Sequence, residues 1–148
     1  IELMLAADIV VIGDNVRLAQ IEIKRGIFPF GGANMRWVAT SGWGNAMRYL
    51  LTGDELDAET AYRIGMAQEL VPVNQVLAKA TEIAETIAAQ SPLGIAATIK
   101  NARLAQEKGF DAATAELVPE IKRLMKTEDA REGVMSFMQR RPAEFKGR

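Results

Sequence analysis

The sequence predicts an α/β chain with its strand content early and its helices late. Three observations carry this. A β-branched run, Asp8–Ile12, is followed by the turn signal Gly13-Asp14-Asn15 and a short alternation at Val16–Leu18. Gly26, Pro29, Gly31, Gly32, Gly42, Gly53 and Gly65 then cut the chain into short pieces. From Val76 onward the apolar residues recur only at helical spacing. On this pattern residues 1–72 form a mixed core portion and residues 73–148 a helical appendage.

Each element has a local reason. Ile1–Ala7 reads as the end of a buried helix, apolar nearly all round except for Glu2. Asp8–Ile12 fits a buried strand, and Val16–Leu18 is expected to return antiparallel to it as a hairpin. Ala33–Ala39 and Trp43–Leu51 read as helices, the first ended by Ser41-Gly42 and the second by Thr52-Gly53. Asp57 can cap a short helix over Ala58–Ile64 that Gly65 closes. Met66–Val71 resembles a short strand ended by Pro72. Val76, Ala80, Ile83, Ala84 and Ile87 mark the next helix. Ser91-Pro92 starts another, with Ser as cap and Pro in the first turn, and it runs to about Lys108 before Gly109. Phe110–Met125 is helical despite Pro119, and Thr127 opens a last helix to about Arg140.

Composition narrows the chemistry. With 148 residues, 49% of them apolar, the chain can bury a core. A net charge of -1 argues against a general nucleic-acid binder. No apolar run reaches the roughly 18 residues of a membrane span. Cys and His are both absent, which removes disulfides, thiolate or imidazole metal sites, and a Ser-His-Asp triad. Acid–base work therefore falls to Glu, Asp, Lys or Tyr. The chain opens in mid-helix pattern without an initiator Met, so an N-terminal part, and any targeting signal in it, is expected to precede Ile1.

Two carboxylates stand out, Glu2 in the first helix pattern and Glu22 in the alternation Gln20–Ile23. Each has an ordinary reading: Glu2 as the solvated stripe of its helix, Glu22 as the outward residue of a strand. Together they could converge if the hairpin forms, and a convergent pair can split its protonation states for acid–base catalysis. Gly26 permits a turn, and Gly31-Gly32 precedes a helix, where free N–H groups can hold an anion or a water. The loop lacks the spacing of a nucleotide-phosphate loop.

Read in order, the short motifs resemble the enoyl-CoA hydratase (crotonase) superfamily. They are Glu2-Leu-Met-Leu-Ala-Ala-Asp-Ile9, then Glu22-Ile-Lys-Arg-Gly-Ile-Phe-Pro-Phe-Gly-Gly-Ala-Asn-Met-Arg36 and Ala46-Met-Arg-Tyr-Leu-Leu-Thr-Gly53. Asp57-Ala-Glu-Thr-Ala-Tyr-Arg-Ile-Gly65, Glu69-Leu-Val-Pro72, Ser91-Pro92, Thr127-Glu-Asp-Ala-Arg-Glu-Gly133 and Phe145-Lys-Gly-Arg148 follow. The resemblance covers the whole chain and corresponds to the C-terminal portion of the family. It implies the later turns of a ββα spiral over residues 1–72, then a helical trimerisation region over 73–148.

The resemblance also implies an activity: an enoyl-CoA hydratase-type lyase adding water to a trans-2-enoyl-CoA. By carry-over, Glu2 helps activate the water and Glu22 exchanges a proton with the substrate's α-carbon. Phe30 stands where the family has a Gly whose backbone N–H also touches that water, beside Gly31 in the substrate-binding loop; Asn34 and Met35 depart from the usual Thr-Gln. Asp8 follows the family pattern as a structural residue. Phe137 lies near an aromatic that lines the acyl pocket, and Lys146 matches a basic position near the CoA phosphates, against its ordinary reading as a solvated tail residue. No separate cofactor is implied, coenzyme A being part of the substrate. The expected partners are the acyl-CoA thioester and other copies of the chain, as a homotrimer or dimer of trimers, and the expected location is the cytoplasm. The family's oxyanion hole and most of its CoA site would lie before Ile1, so the 148 residues alone are expected to be inactive. The rival readings are an enoyl-CoA isomerase, or another crotonase-type acyl-CoA enzyme, and a non-catalytic acyl-CoA-binding or assembly module.

Overall fold

Two small sheets carry all the β structure, and neither is a hairpin. The structure is a computed structural model that describes residues 1–148. β1 (Val11–Gly13) lies parallel to β4 (Glu69–Val71), with Ile12 opposite Leu70. β2 (Arg17–Leu18) runs antiparallel to β3 (Leu56–Asp57). The expected pairing of Val16–Leu18 with the first strand is therefore wrong. Strands of two or three residues cannot hold a hairpin alone, so distant segments decide their partners. Asp14 shows how: its N–H donates to the Val71 carbonyl at 2.9 Å and its Oδ1 accepts from the Val73 N–H at 3.1 Å. The turn residue faces the chain after β4 and leaves β2 to find β3.

Two further expectations are corrected. Ile1–Ala7 is not a buried helix end but a single 3-10 turn over Met4–Ala6, which buries Leu5 while Leu3 is 87% exposed. One turn packed against one helix can bury only one side. Glu22 opens not a strand but a 3-10 helix, Glu22–Arg25. Gly26 closes it in the left-handed region at φ 78°, where its N–H and that of Ile27 reach back to the carbonyls of Ile23 and Glu22.

The helices follow the punctuation closely. α1 (Ala33–Ser41) starts after Gly32 at φ 106° and ends at Gly42; α2 (Trp43–Leu50) follows directly. α3 (Ala58–Arg63) is capped by Asp57, whose Oδ1 accepts from the Thr60 N–H at 2.9 Å. α4 (Val76–Ala88), α5 (Pro92–Lys108), α6 (Phe110–Leu124, with Pro119 inside) and α7 (Glu128–Gln139) complete the chain. Ser91 caps α5 and Thr127 caps α7 through their hydroxyls. No helix is long and apolar enough to cross a membrane.

Contacts divide the chain into two units, Ile1–Glu82 and Ile83–Arg148, with the division inside α4. The first holds the apolar core. Leu5, Ile12, Leu50, Leu56, Ile64 and Met66 close around Trp37, which is fully buried and stacked on Tyr49 with ring centres 5.9 Å apart. Ala33, Ala46, Ala58 and Ala61 are the small residues at which α1, α2 and α3 enter that core. In the second unit Asn101 on α5 donates to the Ala113 carbonyl on α6 at 2.9 Å. Many large apolar side chains of α6 and α7 are exposed there, among them Phe110, Leu117, Ile121 and Met138.

Thr127 joins two helices, accepting from the Ala130 N–H at 3.1 Å while donating to the Leu124 carbonyl at 2.7 Å. Thr127→Ala is expected to cost about 1 kcal/mol in chemical denaturation, and Thr127→Ser to retain most of the wild-type stability.

Candidate functional site

The start of α1 is the polar focus of the first unit. A helix start leaves its first N–H groups without intrahelical partners. Here two N–H groups beside that start are taken by Glu2. The Gly31 N–H donates to Glu2 Oε1 at 2.7 Å, and the Ala33 N–H donates to the same oxygen at 3.3 Å. So the loop does hold an anion, and that anion is the chain's own carboxylate. The partial positive charge of the helix start favours it. Gly31 is required for this approach, because a Cβ added there would collide with Glu2 Oε2.

Glu22 is held differently. Gln20, only 5% exposed, donates its Nε2–H to Glu22 Oε1 at 2.9 Å. The other oxygen, Oε2, is buried with no hydrogen-bond partner. A buried carboxylate oxygen without a donor is costly, and Trp37 Nε1 and Ser41 Oγ are buried without a partner as well. Both carboxylates thus have Oε1 anchored by the protein. A carboxylate fixed through one oxygen presents the other in a set direction, as a general acid or base requires. They sit at opposite ends of one loop: Glu22 opens the turn that leads into it and Glu2 binds its far end.

Other members of this stretch have roles that the sequence reading missed. Asn34 Nδ2 donates to the Pro29 carbonyl at 2.6 Å, and Arg36 Nη1 donates to the Gly31 carbonyl at 2.9 Å. Neither spacing, five residues in each case, has a sequence signature of its own. Phe30 lies between the two gripped carbonyls with its side chain 80% exposed. No three carboxylates converge into a metal-ligand cluster.

Phe137 and Lys146 belong to the second unit. Phe137, on α7, is 85% exposed. Lys146 has an exposed side chain, and its backbone N–H donates to Asp129 Oδ1 at 2.7 Å. Asp129 is the residue here that sequence reasoning noticed only as an acid in a first turn. It is 2% exposed and also accepts from the Gly147 N–H at 2.9 Å and the Ser91 hydroxyl at 3.4 Å. Its own N–H donates to the Arg148 carbonyl at 3.1 Å. Glu132 supports the same tail, accepting two bonds from Arg141 and one from the Glu144 N–H at 2.9 Å. Arg141 first, and that N–H second, hold the Glu132 carboxyl down from 4.5 to about 2. A cavity of about 620 Å³ lies against this tail, lined by Arg131, Glu132, Arg141, Glu144 and Lys146 among others. It mixes both signs of charge and is built from a different unit than the anchored glutamates.

Comparison with known proteins places this chain in a family. The family model described as enoyl-CoA hydratase/isomerase matches residues 1–148. The chain is 34% identical over 147 residues to the 2,3-dehydroadipyl-CoA hydratase of Escherichia coli, covering 99% of this chain and 58% of that protein. It is 53% identical to a probable enoyl-CoA hydratase/isomerase from Mycobacterium abscessus, whose crystal structure superposes with a TM-score of 0.96 over 99% of this chain and 57% of that one. The crystal structure of an enoyl-CoA hydratase from Mycobacterium tuberculosis matches at 32% identity and a TM-score of 0.93, over 99% of this chain and 58% of that one. The chain belongs to the enoyl-CoA hydratase/isomerase family, and its fold is the α/β fold of the crotonase superfamily. It spans rather more than half the length of these relatives.

Two outcomes follow from the site geometry. Gly31→Ala is expected to displace the Glu2 carboxylate and release the Gly31 and Ala33 N–H groups, seen as loss of amide-exchange protection at residues 31 and 33 with the Trp37 core intact. Glu132 has a lowered carboxyl pKa, so its contribution is present above pH 4.5 and is lost as pH falls toward about 2. Protection of the Glu144 amide, its exchange relative to the intrinsic rate at each pH, should therefore fall across that window, and Glu132→Gln should remove that change in protection.

Proposed function

We propose that the protein carrying this chain adds water across the double bond of a trans-2-enoyl-CoA, or reverses that addition. The observation that carries the reading is the pair of carboxylates, each anchored through Oε1, with Glu22 Oε2 buried and unpartnered. Glu2 takes a proton from the water as its oxygen attacks the β-carbon. The π electrons move onto the thioester carbonyl, and Glu22 delivers a proton to the α-carbon. Coenzyme A enters as part of the substrate, with no separate cofactor. Phe30 and Gly31 border the reacting end; Phe137 and Lys146, in the other unit, are by the family resemblance the residues for an acyl chain and for CoA phosphates, from this copy of the chain or another. The names of relatives support the substrate class: a 2,3-dehydroadipyl-CoA hydratase, a carnitinyl-CoA dehydratase from Proteus mirabilis and several enoyl-CoA hydratases.

In the same reading the 148 residues are the C-terminal portion of the fold. Support comes from coverage of 99% of this chain against 58% of the Escherichia coli relative. The developing enolate needs two N–H donors aimed at the carbonyl oxygen, and these would come from the preceding portion. The exposed apolar side chains of α6 and α7 support assembly with other copies, as a trimer or dimer of trimers. The location that fits is the cytoplasm.

The test is hydration of crotonyl-CoA, followed by loss of enoyl absorbance. The 148 residues alone are expected to show no turnover. In the protein carrying the whole fold, Glu22→Gln should lower kcat by about 10²–10⁴-fold, the range for loss of an acid–base group. Glu2→Gln should do the same. Full isomerisation of an enoyl-CoA by Glu2→Gln, with no hydration of crotonyl-CoA by the wild type, would favour an isomerase that needs only Glu22. Calorimetric binding of an acyl-CoA without turnover by the whole protein would favour a binding module.

A further inference from the structure

Three consecutive peptide planes shape the loop before α1: Pro29–Phe30, Phe30–Gly31 and Gly31–Gly32. Each has one group tied. The Pro29 carbonyl accepts from Asn34 Nδ2 at 2.6 Å, and the Gly31 carbonyl accepts from Arg36 Nη1 at 2.9 Å. The plane between them sends the Gly31 N–H to Glu2 at 2.7 Å. All three peptides are trans, so fixing a carbonyl also fixes the N–H on the opposite side of its plane. Gly32, at φ 106°, gives the chain the turn that lets Arg36 reach back over it, and a Cβ there would strike the guanidinium. Without the two tethers the outer planes of this short glycine-rich segment have no side chain holding them, because Phe30 points into solvent and Gly31 and Gly32 have none.

We infer that Asn34 and Arg36 are positioning residues, holding the two outer peptide planes so that the middle one keeps its N–H aimed at the Glu2 carboxylate. Both project from the first turn of α1, so the helix that presents its N-terminus to Glu2 also supplies the grips that shape the loop. Arg36 gives a charge-assisted bond to a neutral carbonyl, which a lysine could partly reproduce and a glutamine less well. For catalysis the inference rests on the reading of Glu2 above, but the geometry it asserts does not.

The test is amide NMR and hydrogen exchange on the 148-residue chain, in wild type, Arg36→Gln, Arg36→Lys and Asn34→Ala. In wild type the Gly31 amide proton is expected downfield. In Arg36→Gln and Asn34→Ala that downfield shift should shrink and Gly31 exchange should quicken by about tenfold, as for loss of one hydrogen bond to a charged group. Exchange in α2 should be unchanged, and Arg36→Lys should restore part of the downfield shift. A Gly31 amide that keeps its shift and exchange rate in both Arg36→Gln and Asn34→Ala overturns the inference. So does quickened exchange throughout α1 and α2 in both, since that marks general loosening. A changed Gly31 signal in a protein that never hydrates an enoyl-CoA upholds the positioning role and removes only the catalytic reading.

Discussion

The hydrogen bonds from Gly31 and Ala33 to Glu2 are the constraint on which the first unit's polar architecture depends. They join the first residues of the chain to the start of α1, and everything nearby is shaped to allow them. Leu5 anchors the opening turn in the core that also holds Ala33 and Trp37. Gly31 has no side chain because the carboxylate fills that space. A negative charge brought to a helix start replaces water around orphan donors, which is a favourable exchange at low cost. The unpartnered oxygen of Glu22 is the opposite case, a cost the fold carries without structural return.

The two units are held together internally by different means. Residues 1–82 bury a continuous apolar cluster around Trp37. Beyond Ile83 the buried residues are Ala113, Asp129 and Ser136, two of them polar. Asp129 gathers backbone N–H groups and a hydroxyl from the tail and from the start of α5. Fully buried carboxylates survive only when their oxygens are satisfied by donors, and this one is. The apolar side chains of α6 and α7 meanwhile remain outside.

What was legible in the sequence was whatever depends on neighbours along the chain. The caps at Asp57, Ser91 and Thr127, the stops at Gly42, Gly53 and Gly109, and the late run of helices all follow from local hydrogen-bonding rules. The fold class and the prominence of the Gln20–Arg36 stretch were also readable there. What failed was non-local. Alternation at Val16–Leu18 showed a strand but not its partner, because a two-residue strand is claimed by whichever edge the rest of the chain brings near. Glu22 looked extended because apolar alternation does not distinguish a strand from a 3-10 turn followed by a left-handed glycine. Asp129 was invisible as an anchor, since two of its three donors are backbone groups 17 and 18 residues away, which leave no letter in the sequence, and the third is a hydroxyl 38 residues away.

That last point bears on how the tail can vary. Asp129 grips residue 146 through its main chain, so that bond asks only for a backbone N–H at that position. Gly147 is different. It sits at φ 73°, and a Cβ there would press on Pro92 at 3.3 Å. One residue is fixed by shape and its neighbour is free of it. Any residue but proline can therefore keep that bond at position 146.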